Sequence, residues 1–159
     1  MIWIVSLFEF LLGAIMHFVY NVFPYSFVAI FAPISESIFE HLKLALYPML
    51  IFDIILWYQY YHKDFSVFAP MLVGIIVGCM SIVFIYYFYH CGLGINSLMF
   101  DIILLFVGIL LGNIVMIILY NIHWTMNWKV SLLLLVSIMI IFSYWTFCPP
   151  DIPLFIDYS

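Results

Sequence analysis

No arginine occurs anywhere in this chain of 159 residues, and its three lysines stand against eight acidic residues. So few cations exclude a nucleic-acid partner, because binding phosphates needs a basic face. They also exclude a polybasic grip on anionic lipid headgroups. Cysteine is scarce: Cys79, Cys91 and Cys148 form no Cys-x-x-Cys pair, so neither a zinc ribbon nor a thioredoxin-like centre is predicted. The opening Met-Ile-Trp-Ile lacks the positive start of a signal peptide, and no small-residue cleavage site follows. The first apolar run is therefore expected to stay as a helix.

What remains is overwhelmingly apolar. Hydrophobic residues make up 69% of the chain, charged residues 7%, and the mean hydropathy is +1.30. So much apolar surface on one short domain cannot all be buried without lipid. The expected fold is all-α, a single transmembrane helical domain over 1–159 with five spans. The predicted helices cover about 2–21, 37–61, 68–90, 97–121 and 129–147, each near the length a bilayer requires. Residues 22–35, broken by Pro24 and Pro33, are too short to cross and are read as an interfacial or re-entrant segment. Pro48 predicts a kink in the second span, and the proline-rich tail 148–159 cannot be helical throughout.

With five spans, Lys63 and Lys129 fall on the side of the N-terminus. The positive-inside rule then predicts a cell-membrane protein with the N-terminus cytoplasmic and the C-terminus outside. Cys91 and Cys148 share the outer side, where free thiols are expected rather than a disulfide. Gly74-x-x-x-Gly78 and Gly108-x-x-x-Gly112 lie at matched depth across the hairpin of spans three and four. These motifs predict close packing of the two helices.

Ionisable groups concentrate in Pro33-Ile-Ser-Glu-Ser-Ile-Phe-Glu-His-Leu-Lys43. Within a membrane such groups are costly unless paired or used, which makes this stretch the candidate site. Glu9, Gly13 and His17 form one stripe of the first helix, and His17 sits at a depth similar to Glu40 and His41. Asp101, about four residues into its own helix, reaches the same layer, with Tyr86, Tyr89 and His90 nearest to it by depth. Two imidazoles and several carboxylates at one level have the donor chemistry of a divalent metal such as zinc. In that reading His17, His41, Glu36 and Asp101 are the metal ligands, and Glu40, with Glu36, supplies the catalytic carboxylate.

A structural reading stands beside it. Ser37-Ile-Phe-Glu40 is a capping box, and Lys43 can neutralise either glutamate. Caps account for Glu40 but not for His17 or His41. Glu9 reads either as a proton relay or as a neutral, hydrogen-bonded acid, and Asp53 as a group reaching the interface near Trp57. His62 and His123 are expected in solvated turns.

The run Glu-Ser-Ile-Phe-Glu-His-Leu-Lys, preceded by Gly13-x-x-x-His17-x-x-Tyr20 and followed by Pro48, resembles a family of small prokaryotic integral membrane proteins. That family is known only as a domain of unknown function. The tail Pro149-Pro-Asp-Ile-Pro-Leu-Phe155 is similar to its C-terminal element. The likeness covers nearly the whole chain, with Ser35 and Phe39 where the family's pattern has Asn and Trp. It implies a membrane protein and supplies no activity.

Beside a purely structural partner protein, in which the motif serves only as cap and ion pair, two functions remain open at this level. One is a metal-assisted hydrolase or transferase acting on a lipid or lipid-linked substrate. The other is a non-catalytic subunit or small transporter, acting as an oligomer or with a partner, that uses the cluster for cation, proton or partner binding. No inverted repeat is visible, and the chain is short for a transporter acting alone.

Overall fold

The computed structural model describes residues 2–157. Among them are six α-helices and no strand: α1 (Ile2–Val22), α2 (Ser26–Phe31), α3 (Ile38–Gln59), α4 (Phe68–Tyr87), α5 (Leu98–Asn121) and α6 (Trp128–Phe147). A 3₁₀ turn, Phe65–Val67, leads into α4, and a wide π turn, Phe88–Gly92, ends it. The tail holds one 3₁₀ turn at Pro153–Phe155.

Four helical stretches are long and apolar enough to cross a membrane: Ile2–Val22, Phe65–Gly92, Leu98–Asn121 and Trp128–Phe147. Five were expected. The exception is α3, which has the length, at 22 residues, but carries Glu40, Lys43 and Asp53 in its buried surface. Residues 22–35 contain a helix, α2, only six residues long.

The helices alternate in direction, so the bundle has two ends. Tyr61 meets Tyr120 and Phe65 meets Trp128 at one end, with ring centroids 4.7 Å and 4.8 Å apart. Lys63 and Lys129 belong to this end, called here the lysine end. At the other, Phe39 of α3 stacks between Phe142 of α6 and Phe155 of the tail, at 4.7 Å and 4.3 Å. The tail thus folds back over the start of α3.

Two glycine contacts set the helix spacing. A Cβ added to Gly74 would lie 2.8 Å from the Gly112 carbonyl oxygen, and one at Gly78 would lie 3.2 Å from that of Gly108. The backbones of α4 and α5 therefore approach as closely as the paired motifs allow. A Cβ on Gly13 of α1 would collide with the Leu44 carbonyl oxygen of α3. Pro48, buried inside α3, has no N–H to give that same carbonyl. The smallest residue of α1 thus packs against the one carbonyl of α3 that proline leaves without its helical donor. This approach carries His17 to α3.

Burial is inverted relative to a soluble protein. Glu9, Lys43 and Ser131 are fully covered, while Phe84 and Leu98 stand 67% and 74% exposed. Polar groups line the helix contacts, and the outward faces are aliphatic and aromatic.

Candidate metal centre

Three side chains converge at the end of the bundle opposite the lysines. His17 comes from the last turns of α1, Glu36 from the loop before α3, and His41 from the first turn of α3. His41 Nε2 lies 3.3 Å from Glu36 Oε2, and His17 Nε2 lies 3.9 Å from Glu36 Oε1. The imidazole centroids are 5.2 Å apart. One nitrogen or oxygen atom from each residue falls within 4.8 Å of the other two. The histidines are half-buried and Glu36 is exposed, so the group is closed by protein on one side and open on the other.

Hydrogen bonding orients the first ligand candidate. His41 Nδ1 sits 2.9 Å from the Ser37 carbonyl oxygen. A carbonyl can only accept, so Nδ1 carries the proton and Nε2 is left facing Glu36. This is how a metal-binding histidine is held, with its outer nitrogen tied to an acceptor. Neutral Nε2 and a carboxylate are both acceptors, and at 3.3 Å they repel unless a cation lies between them. That cation is either a proton on Nε2 or a metal ion.

The loop bearing Glu36 is fastened from three directions. Ser37 caps α3, its hydroxyl accepting from the Glu40 amide at 3.3 Å. The Glu40 carboxylate accepts from the Ile34 amide at 2.9 Å, so it reaches past the cap to brace the incoming loop. Lys43, fully buried, donates to Glu40 at 2.7 Å and to the Ala29 carbonyl of α2 at 2.8 Å. From the far end of the chain, Asp157 accepts the Glu36 amide at 3.2 Å. Stacking of Phe155 on Phe39 brings Asp157 there.

Of the residues expected at the site, His17, His41 and Glu36 are brought together. Glu40 lies behind them, its side chain 5% exposed and engaged by Lys43 and Ile34. Asp101 does not join them. It accepts from the Tyr89 hydroxyl across the turn between α4 and α5, one of the three neighbours its depth implied. Cys91 and Cys148 are exposed and free.

A second polar group, deep between α1, α3 and α5, was not read as a unit from the sequence. Asn113 donates to Ser6 at 2.9 Å and to Glu9. Asp53, expected to reach the interface, is instead only 2% exposed. The signal lay in the glycine register, which puts Asn113 level with Gly74, and in the helical stripe of Glu9. Nothing in the sequence tied Asp53 to either.

Among the described residues, six α-helices, four helical stretches long and apolar enough to cross a bilayer and a His/Glu cluster at one end of the bundle define an all-helical protein compatible with a membrane. The chain belongs to the family of unknown function DUF6512, whose pattern it matches over residues 1–159. No curated protein and no solved structure matches it.

Proposed function

We propose that this chain is an integral membrane protein that binds a divalent cation of the zinc type through His17, His41 and Glu36, and acts as a metal-assisted hydrolase or transferase on a lipid or lipid-linked substrate. The carrying observation is the convergence of three donor groups, with His41 Nε2 and His17 Nε2 3.3 Å and 3.9 Å from the Glu36 carboxylate oxygens. Ligand atoms about 2.0–2.1 Å from a tetrahedral zinc stand about 3.4 Å from one another, so the group is near a binding geometry before any rearrangement. Three protein ligands and an open side are the pattern of a catalytic rather than a structural site. A metal held by His17, His41 and Glu36 would supply Lewis acidity.

In this reading α3 is the fifth span, shielded from lipid by the other helices, so that its ionisable groups face protein. Five crossings agree with the alternation of the helices and put the lysine end in the cytoplasm and the His/Glu centre toward the outer face. Glu40 and Lys43 hold the Glu36 loop in place, and Asp157 orients it from behind. The lipid substrate rests on location: an apolar groove of about 590 Å³ between α2 and α6, lined by Phe31, Tyr47, Met139 and Phe147 among others, runs to the same end of the bundle. It has the lining an acyl chain requires.

Metal analysis of detergent-purified protein tests the site. One zinc per chain is expected in the wild type, with loss in His17→Ala, His41→Ala and Glu36→Gln. Wild type without metal, or retention by both histidine variants, would remove the proposal. Binding without turnover of lipid esters or lipid-linked phosphates would instead leave a cation-binding subunit.

A further inference from the structure

Far from the His/Glu centre, two carboxylic acids are enclosed in the bundle with no cation beside them. Glu9 is 0% and Asp53 2% exposed. Neither forms an ion pair among the described residues; the three ion pairs there involve Glu36 and Glu40. Asn113 satisfies one oxygen of Glu9, while Glu9 Oε1 and Asp53 Oδ1 have no hydrogen-bond partner. Asp53 and Asn113 line a small cavity of about 20 Å³, closed by Ile2, Leu56, Tyr61 and Met116 among others. That is room for about one water molecule or an ion of similar size.

These facts do not describe a structural network. Such a network satisfies its members, and here an oxygen of each acid is unsatisfied, with Asp53 lining empty space and Glu9 tied to it through Asn113. Two unpaired carboxylates in an apolar interior would cost far more than a bundle of this size can absorb. Something small and positive must accompany them. We infer that Glu9, Asp53 and Asn113 form a second, buried site for a small monovalent cation, a proton or sodium, at the cavity between α1, α3 and α5. All donors are hard oxygens, and the space excludes a larger hydrated ion.

Position adds to the argument. Glu9 is eight residues from His17 along α1, or about 12 Å, and Asp53 is twelve from His41 along α3, or about 18 Å. The site therefore lies well inside the bundle, toward the lysine end. The polar groups lining it are Asp53 of α3, Tyr61 just after α3 and Asn113 of α5, and Asn113 ties in Ser6 and Glu9 of α1. None of them is basic. This inference does not rest on the metal centre at the other end.

The test uses the full chain in lipid nanodiscs, with sodium chloride, or choline chloride at equal ionic strength, as the probe, and infrared spectroscopy of the carboxyl groups. If sodium is the ligand, it raises the melting temperature of the wild type and of His17→Ala by about 3 °C or more over choline. Glu9→Gln and Asp53→Asn lose that response. If the proton is the ligand, sodium has no effect, and the wild type at neutral pH shows the carbonyl-stretch band of protonated carboxylic acid. Each variant then removes part of that band. Both amides match the shape of the neutral acids and should fold, and the wild-type measurements stand without them. A wild type with no sodium response and no protonated-acid band would overturn the site. So would a sodium response, or a band, left intact in both variants.

Discussion

Replacing Lys43 by methionine should destabilise the protein more than any surface change. The methionine fills much of the lysine stem but removes the ammonium. The Glu40 carboxylate, 5% exposed and 2.7 Å from that ammonium, then keeps only the Ile34 amide as a partner. The Ala29 carbonyl of α2 loses its donor as well. Breaking a buried pair on one side costs about 3–5 kcal/mol, because the remaining charge is stranded away from water. Here the lower half of that range applies, since Ile34 still donates to the carboxylate. Unfolding in mixed micelles by titration with a denaturing detergent reads the difference. Adding Glu40→Gln to Lys43→Met should recover about 2 kcal/mol or more, because a neutral amide still accepts from Ile34 and leaves no charge behind. Zinc binding should survive in the double variant, since neither residue is a ligand. If the single and double variants were equally unstable, the stranded charge would not be the cause and the staple would be wrongly described.

Three further outcomes follow from other parts of the fold. Gly112→Leu should lower stability by about 1–3 kcal/mol, because a side chain there meets the Gly74 backbone and the Met49 side chain; an unchanged melting temperature would count against tight α4–α5 packing. The two hydrogen bonds from Ser66 to Asp64 hold the aspartate below the usual carboxylate range. Its contribution is therefore present above the unfolded value near about 3.9 and lost as pH falls through the folded one, so Asp64→Asn should flatten the acid limb of the stability–pH profile; an unaltered limb would refute this. Reporter fusions after Lys63, Asn96 and Ser159 should read inside, outside and outside, and an inside signal at Ser159 would contradict five crossings.

The sequence by itself determined an all-helical fold, because long apolar runs punctuated by prolines, glycines and polar turns leave few alternatives; the short helix α2 and the polar content of α3 were outside that reading. It also located the Glu36–Lys43 stretch, because ionisable residues are conspicuous in a chain with so few, and depth counting matched His17 with His41. Depth alone could not say which residues at one level face one another. Rotation about each helix axis decides that, and it is set by contacts between segments remote in sequence. Gly13 against Leu44 turned His17 toward His41, and the wide turn closing α4 gave Asp101 to Tyr89 instead. The spacing of Glu40 from Ser37 and Lys43 reads as a cap and an ion pair, but only the folded loop showed its carboxylate reaching Ile34. The clearest case is Asp53. Its neighbours Trp57 and Tyr58 suggested the interface, whereas the packing of α1 and α5 over α3 enclosed it with Glu9 and Asn113. A one-dimensional pattern records how polar a residue is and how deep it lies; which polar groups it meets is a property of tertiary packing.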